Sequence, residues 1–190
     1  MPETQEPRLA PLELEAMDPA TREVAVRAGA GEGRPDGIFR TLAHHPDLLR
    51  RWMVFGAHIL HKSSLPPRLT ELAILRIGAI RRCRYEFAQH TRLGLERGLT
   101  TEEIGRLVGT DPAADPHWSE VERLILRAVD ELHDPGRISD EIWSGLSGHL
   151  DEKQILDLIF TVGQYNLVSV MLNSVGVPLD EGLPELPRGW

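Results

Sequence analysis

The chain has 190 residues, 41% hydrophobic but only 5% aromatic, with one cysteine and a formal charge of −8. Its length supports one good core, its acidic balance argues against a nucleic-acid binder, and a single cysteine excludes an intrachain disulfide framework, the usual mark of a secreted domain. The start lacks the basic-then-apolar pattern of a signal peptide, and the apolar run 158–175 is interrupted by Gln164, Asn166 and Asn173, which suits a buried helix better than a membrane span. A cytoplasmic protein with no membrane and no nucleic-acid partner is the expectation.

Residues 1–36 read as a Pro- and Glu-rich arm with one short helix at 19–28, where Asp18 caps and Pro19 takes the first helical position. The Gly-rich segment 29–37 reads as a loop that matches no phosphate-loop spacing. A short helix is expected at 38–44 and a longer one at 46–62, with Leu49, Trp52, Met53, Gly56, Ile59 and Leu60 at helical spacing. Pro66 and Pro67 open a helix whose Leu69, Leu72, Ala73, Leu75, Ile77 and Ile80 leave little exposed face. Gly98 closes the next helix, and Thr100 with Glu103 forms a capping box for a helix to 107. After the loop 109–116, a helix is expected to begin at Asp115 and Pro116. Ser139 caps a short helix through 146, and Asp151 with Gln154 caps the last one, which runs to 174 before Gly176 and Pro178. No stretch alternates as a strand does. The all-α domain spans 37–178, followed by a tail at 179–190. A faint echo between 65–94 and 150–177 suggests duplication of a helical-hairpin unit.

The chemistry gathers at 65–98. Cys83, Glu86 and His90 are three and then four residues apart, which places a thiol, a carboxyl and an imidazole within about 60° on one helix face. Glu71 lies twelve residues before Cys83, about 120° away on a continuous helix. A break at Arg81–Arg82 would instead let a second helix start at Cys83 and fold back so that Glu71 joins the others. Each residue has a plainer reading. A lone cysteine is most often a small buried hydrophobe, Glu86 and His90 could be a surface i,i+4 pair, and Glu71 could be a solvated residue near a helix start. On the functional side, the helix start and the cations Arg81, Arg82 and Arg84 would lower the thiol pKa. A partly covered carboxyl beside an imidazole suits proton transfer. Glu86, His90, His45, His58 and His61 offer metal-ligand chemistry, but no di-iron helix-bundle repeat is present, and neither metal nor cofactor is expected.

Over these residues the chain resembles the carboxymuconolactone decarboxylase family, which includes the alkyl hydroperoxidase D proteins. The match is Glu71, then Cys83, Glu86 and His90, Gly98, and a Thr-x-x-Glu-Ile helix. In the hydroperoxidase branch the pattern is similar to Glu…Cys-x-x-Cys-x-x-x-His, so Cys83 takes the resolving position and Glu86 replaces the peroxide-attacking cysteine. The decarboxylase branch resembles Glu-x-x-x-His here, which Glu86 and His90 satisfy. The resemblance implies an all-helical, alkyl hydroperoxidase D-like bundle assembled as a homo-oligomeric trimer or hexamer. The expected activity is cofactor-independent acid–base chemistry, a decarboxylation or related lyase or isomerase step, on a small carboxylated or lactone-type molecule. The expected catalytic set is Glu71, Cys83, Glu86 and His90, with Cys83 lining the pocket. Arg81, Arg82, Arg84, Tyr85 and Tyr165 are the expected substrate-binding set. Two rivals stand beside it: a single-cysteine peroxidase using Cys83, and a non-catalytic oligomeric ligand-binding protein.

Overall fold

The centre of the protein is α4 (Pro67–Ile80), on which Leu72, Ala73, Ile74, Leu75 and Ile77 are fully buried. A helix apolar on all sides must be enclosed, and α4 packs against α5 (Arg84–Glu96), α7 (Glu120–His133) and α9 (Glu152–Val175). The computed structural model describes residues 6–28, 36–187 and 189–190; the loop expected at 29–37 lies mostly outside them. Around this centre stand α1 (Pro19–Ala28), α2 (Gly37–Leu42), α3 (Pro46–His61), α6 (Thr101–Arg106) and α8 (Asp140–Ser147), with short 3₁₀ turns at Leu14–Ala16 and Pro112–Ala114. Among the described residues there is no strand.

Most helix boundaries follow from local chemistry. Asp18 Oδ1 accepts the Ala20 and Thr21 amides, and capping boxes start α6 at Thr100 and α9 at Asp151. Gly176, at φ 73°, ends α9 in the left-handed conformation that glycine tolerates. One start differs from expectation. The helix expected at Asp115 begins at Glu120, capped by Ser119, whose capping box with Glu122 satisfies two of the amides at the helix start. Asp115 instead accepts the His117 amide and pairs with Arg106.

The break between α4 and α5 positions the site. Arg81 is the last αR residue, Arg82 takes φ 50°, and the Cys83 amide bonds back to the Gly78 carbonyl at 3.0 Å. The chain therefore reverses, and α5 runs back along α4. The C-terminal segment also returns to the body: Trp190 packs on Phe87 with ring centroids 4.3 Å apart, and Asp180 accepts the Gly37 amide at 3.0 Å. On the outer surface, Leu156, Phe160, Leu167 and Val170 of α9 are about half exposed.

Candidate active site

Because α5 returns along α4, Glu71 on α4 lies opposite the stretch of α5 that carries His90 and ends near Arg97. His90 Nδ1 is 2.7 Å from Glu71 Oε2, and His90 Nε2 is 2.9 Å from Glu86 Oε1. Arg97 Nη1 donates to the other Glu71 oxygen at 2.6 Å, and its Nη2 donates to the Leu60 carbonyl at 3.3 Å. The result is a row of alternating charge: Arg97, Glu71, His90, Glu86. Glu71 is completely buried, and His90 and Glu86 are nearly so.

The imidazole has a carboxylate at each nitrogen, a hydrogen bond to Glu71 and a close charge contact to Glu86, and both favour the imidazolium. Burial works against that charge, but Glu71 and Glu86 outweigh it by charge and hydrogen bond and raise His90 to about 10. Tyr165 of α9 stands edge-on to the imidazole, with centroids 4.7 Å apart. Burial, followed by the Glu86 and Glu71 charges, pushes its phenol well above the ordinary range, so it stays a neutral donor. Its hydroxyl makes no hydrogen bond among the described residues.

These groups border a cavity of about 150 Å³. Glu86, His90 and Tyr165 are among the polar groups on its wall, while Phe39, Trp52 and Leu60 supply apolar surface. A volume of that order accommodates a molecule about the size of benzene. Glu86 uses Oε1 for His90, and its Oε2 has no hydrogen-bond partner among the described residues.

The structure brings together Glu71, Glu86 and His90, and it puts Tyr85 and Tyr165 on the cavity wall. Tyr85 spends its hydroxyl elsewhere, donating to Asp180 and accepting the Ile38 amide at 3.1 Å, so it fastens α2 and the C-terminal segment. Cys83 is a correction. It does not line the cavity and is fully buried among Ile38, Val168, Leu172 and Val177. Burial, and then the Glu86 charge, push its thiol up to about 12, against the backbone amides of Glu86 and Tyr85 and the Ser169 hydroxyl. The lowering expected from the helix start and the arginines is overruled by desolvation. Arg81, Arg82 and Arg84 are the second correction, since none of them lines the cavity. Arg81 is held by Asn166, Arg82 forms the left-handed link, and Arg84 is exposed. Sequence reasoning missed Arg97, although it lies seven residues after His90 and so on the same helix face. It also missed Arg92, Gln89 and Asp36, which border the cavity. Among the described residues no group of three or more His, Cys, Asp or Glu side chains is placed to hold a metal ion. His58 pairs with Asp157 at 3.1 Å, and His45 Nδ1 caps α3.

Residues 46–131 match the carboxymuconolactone decarboxylase family model. The fold is that of the alkylhydroperoxidase D core of an uncharacterized peroxidase-related protein from Ralstonia eutropha JMP134, with TM-score 0.79 and 16% identity over 91% of this chain and 93% of that one. A peroxidase-related protein from Silicibacter sp. TM1040 superposes with TM-score 0.78 and 16% identity, covering 95% and 96%. A variant of the debrominase Bmp8 in complex with 2,3,4-tribromopyrrole gives TM-score 0.72 and 14% identity, covering 91% of each chain. No curated protein sequence matches the chain.

Proposed function

We propose that this chain is a cofactor-independent enzyme that moves protons on a small carboxylated or lactone-type molecule, a reading supported by the site within residues 46–131, which match the carboxymuconolactone decarboxylase family model. The observation that carries this reading is the imidazole of His90 held between Glu71 and Glu86, with Glu86 and Tyr165 facing one cavity.

Loss of carbon dioxide, or of a proton beside a carbonyl, leaves an enolate whose negative charge must be stabilised. The unpartnered Tyr165 hydroxyl is the donor for that oxygen, preorganised and partly desolvated. Glu86 Oε2 is the proton-transfer atom. In an isomerisation it removes a proton from carbon and returns it at another carbon. In a decarboxylation the carbanion takes a proton through Glu86, which His90 Nε2 resupplies, and solvent then reprotonates His90. Glu71 and Arg97 hold the imidazolium in place. Positioned acid–base groups of this kind contribute about 10²- to 10⁴-fold in rate.

The cavity suits a single ring, and the bound tribromopyrrole of the Bmp8 variant is a ring-sized molecule on the same fold. The single-cysteine peroxidase reading lacks its thiolate, because Cys83 is buried and protonated. The test is a panel of 3-oxo acids and carboxylated lactones, followed by carbon dioxide release and by deuterium uptake from D2O. Turnover by the wild type is expected, with loss of at least about 100-fold in Glu86→Gln and in His90→Ala. Full activity in either folded variant overturns the assignment.

A further inference from the structure

Among the described residues two arginines border the cavity, and they are used differently. Arg97 is committed to Glu71. Arg92 makes one hydrogen bond, from Nη2 to Gln89 Oε1 at 3.2 Å, and has no carboxylate partner among the described residues. Its Nε is fully buried and has no acceptor. Arg40, Arg76 and Arg106 do have carboxylate partners. Arg76, for example, donates to Asp130 at 2.7 Å and to the Leu107 and Gly109 carbonyls at 3.0 and 2.8 Å. Arg40 and Arg106 also leave Nε without an acceptor, yet each is paired with a carboxylate, from Glu13 and from Asp115. A charged donor withdrawn from water without an acceptor is costly, and the cost is recovered when a ligand supplies the acceptor.

The neighbours hold Arg92 in position without neutralising it. Gln89 gives its amide oxygen to Arg92 and its amide nitrogen to Asp180 Oδ2 at 2.8 Å, which fixes the orientation of the amide. Asp36 borders the same cavity and feels the Arg92 charge, but no ion pair joins them. Arg92 lies six residues after Glu86, about 120° around α5, and both side chains border the cavity, the cation on one part of its wall and the proton-transfer carboxylate on another.

We propose that Arg92 is the anion anchor of the cavity, binding the carboxylate of a ring-sized substrate through its free N–H groups and so deciding which end of the molecule meets Glu86. The choice of a carboxylate follows from the fork of donors that a guanidinium presents, which matches two coplanar oxygens. The orienting role rests on the proton-transfer reading above, while the binding role does not.

The test is calorimetric titration of the folded protein at pH 7 with benzoate and with benzamide, its neutral analogue. Wild type is expected to bind benzoate at least tenfold more tightly than benzamide. Arg92→Gln loses at least tenfold in benzoate affinity with benzamide unchanged, and Arg92→Lys, which keeps charge but not the fork, loses less. Equal affinity for the two ligands, no benzoate binding by wild type, or unchanged benzoate binding by folded Arg92→Gln each overturns the proposal. Should Arg92→Gln not fold, the wild-type preference and Arg92→Lys decide. Glu86→Gln separates the two readings: it is expected to keep or tighten benzoate binding, because a nearby negative charge is gone. Turnover surviving in Glu86→Gln would refute the proton-transfer role alone.

Discussion

Replacing Glu71 by glutamine tests how the charge row is held together. Glu71 is completely buried, with one oxygen 2.6 Å from Arg97 and the other 2.7 Å from His90. An amide can accept from only one of these donors and turns its own N–H groups toward the other. The least costly escape is for His90 to lose its Nδ1 proton and accept from the amide. Removing one member of a buried ion pair costs about 3–5 kcal/mol. In a chain of this size that lowers Tm by about 6–20 °C. The linkage gives a second readout. His90 is raised from 6.5 to about 10 in the folded protein, an upper limit of about 5 kcal/mol. A raised folded pKa gives stability that is complete below the unfolded value of 6.5 and is lost as pH rises through about 10. Glu71→Gln removes the largest raising contribution, so His90 titrates lower in the variant. The stability gap between wild type and variant therefore narrows as pH climbs toward 10. Denaturant melts followed by circular dichroism from pH 6 to pH 10.5 measure both effects. A loss below about 1 kcal/mol at pH 7, or a gap independent of pH, would refute the buried charge row.

The Cys83 thiol is expected to resist alkylation and peroxide at pH 7.5 until the protein unfolds, measured by mass spectrometry with and without denaturant; rapid sulfenic acid formation in the native protein would restore a redox role. Tyr165→Phe is expected to change stability by less than about 0.5 kcal/mol, since its hydroxyl has no protein partner, while kcat/KM for an active substrate falls at least tenfold. Gly176→Ala is expected to cost about 1 kcal/mol, because the residue sits at φ 73°, as read from denaturant midpoints. The half-exposed Leu156, Phe160, Leu167 and Val170 repeat at intervals of four, seven and three along α9. If the expected trimer or hexamer forms through that face, sedimentation shows the oligomer and Leu167→Glu shifts it to smaller species.

The helices were legible where local chemistry decides them. Capping residues, the two prolines at the start of α4 and the glycines after α5 and α9 all act within a few residues of the boundary they set. The helix break at Arg81–Arg82 was legible for a different reason: an unbroken helix would keep Glu71 away from Cys83, Glu86 and His90. Cys83 was misjudged because a helix start and nearby arginines are visible in sequence, whereas the packing that desolvates the thiol comes from Ile38, Val168, Leu172 and Val177, far along the chain. The same distance hid Asp180, which reaches Tyr85 and Gln89 from the C-terminal segment. Arg92 and Arg97 were within reach of helical spacing alone. What spacing could not supply was the difference between a guanidinium already paired and one left free.

The protonation state of His90 needs no substrate to measure. Nitrogen-15 NMR of the protein labelled at histidine, with His90→Gln used to assign the signal, reports both ring nitrogens. At pH 8 both are expected to show imidazolium shifts, with deprotonation only near pH 10. A neutral His90 at pH 8, titrating between 6 and 7, would contradict the charge row and the proton transfer built on it.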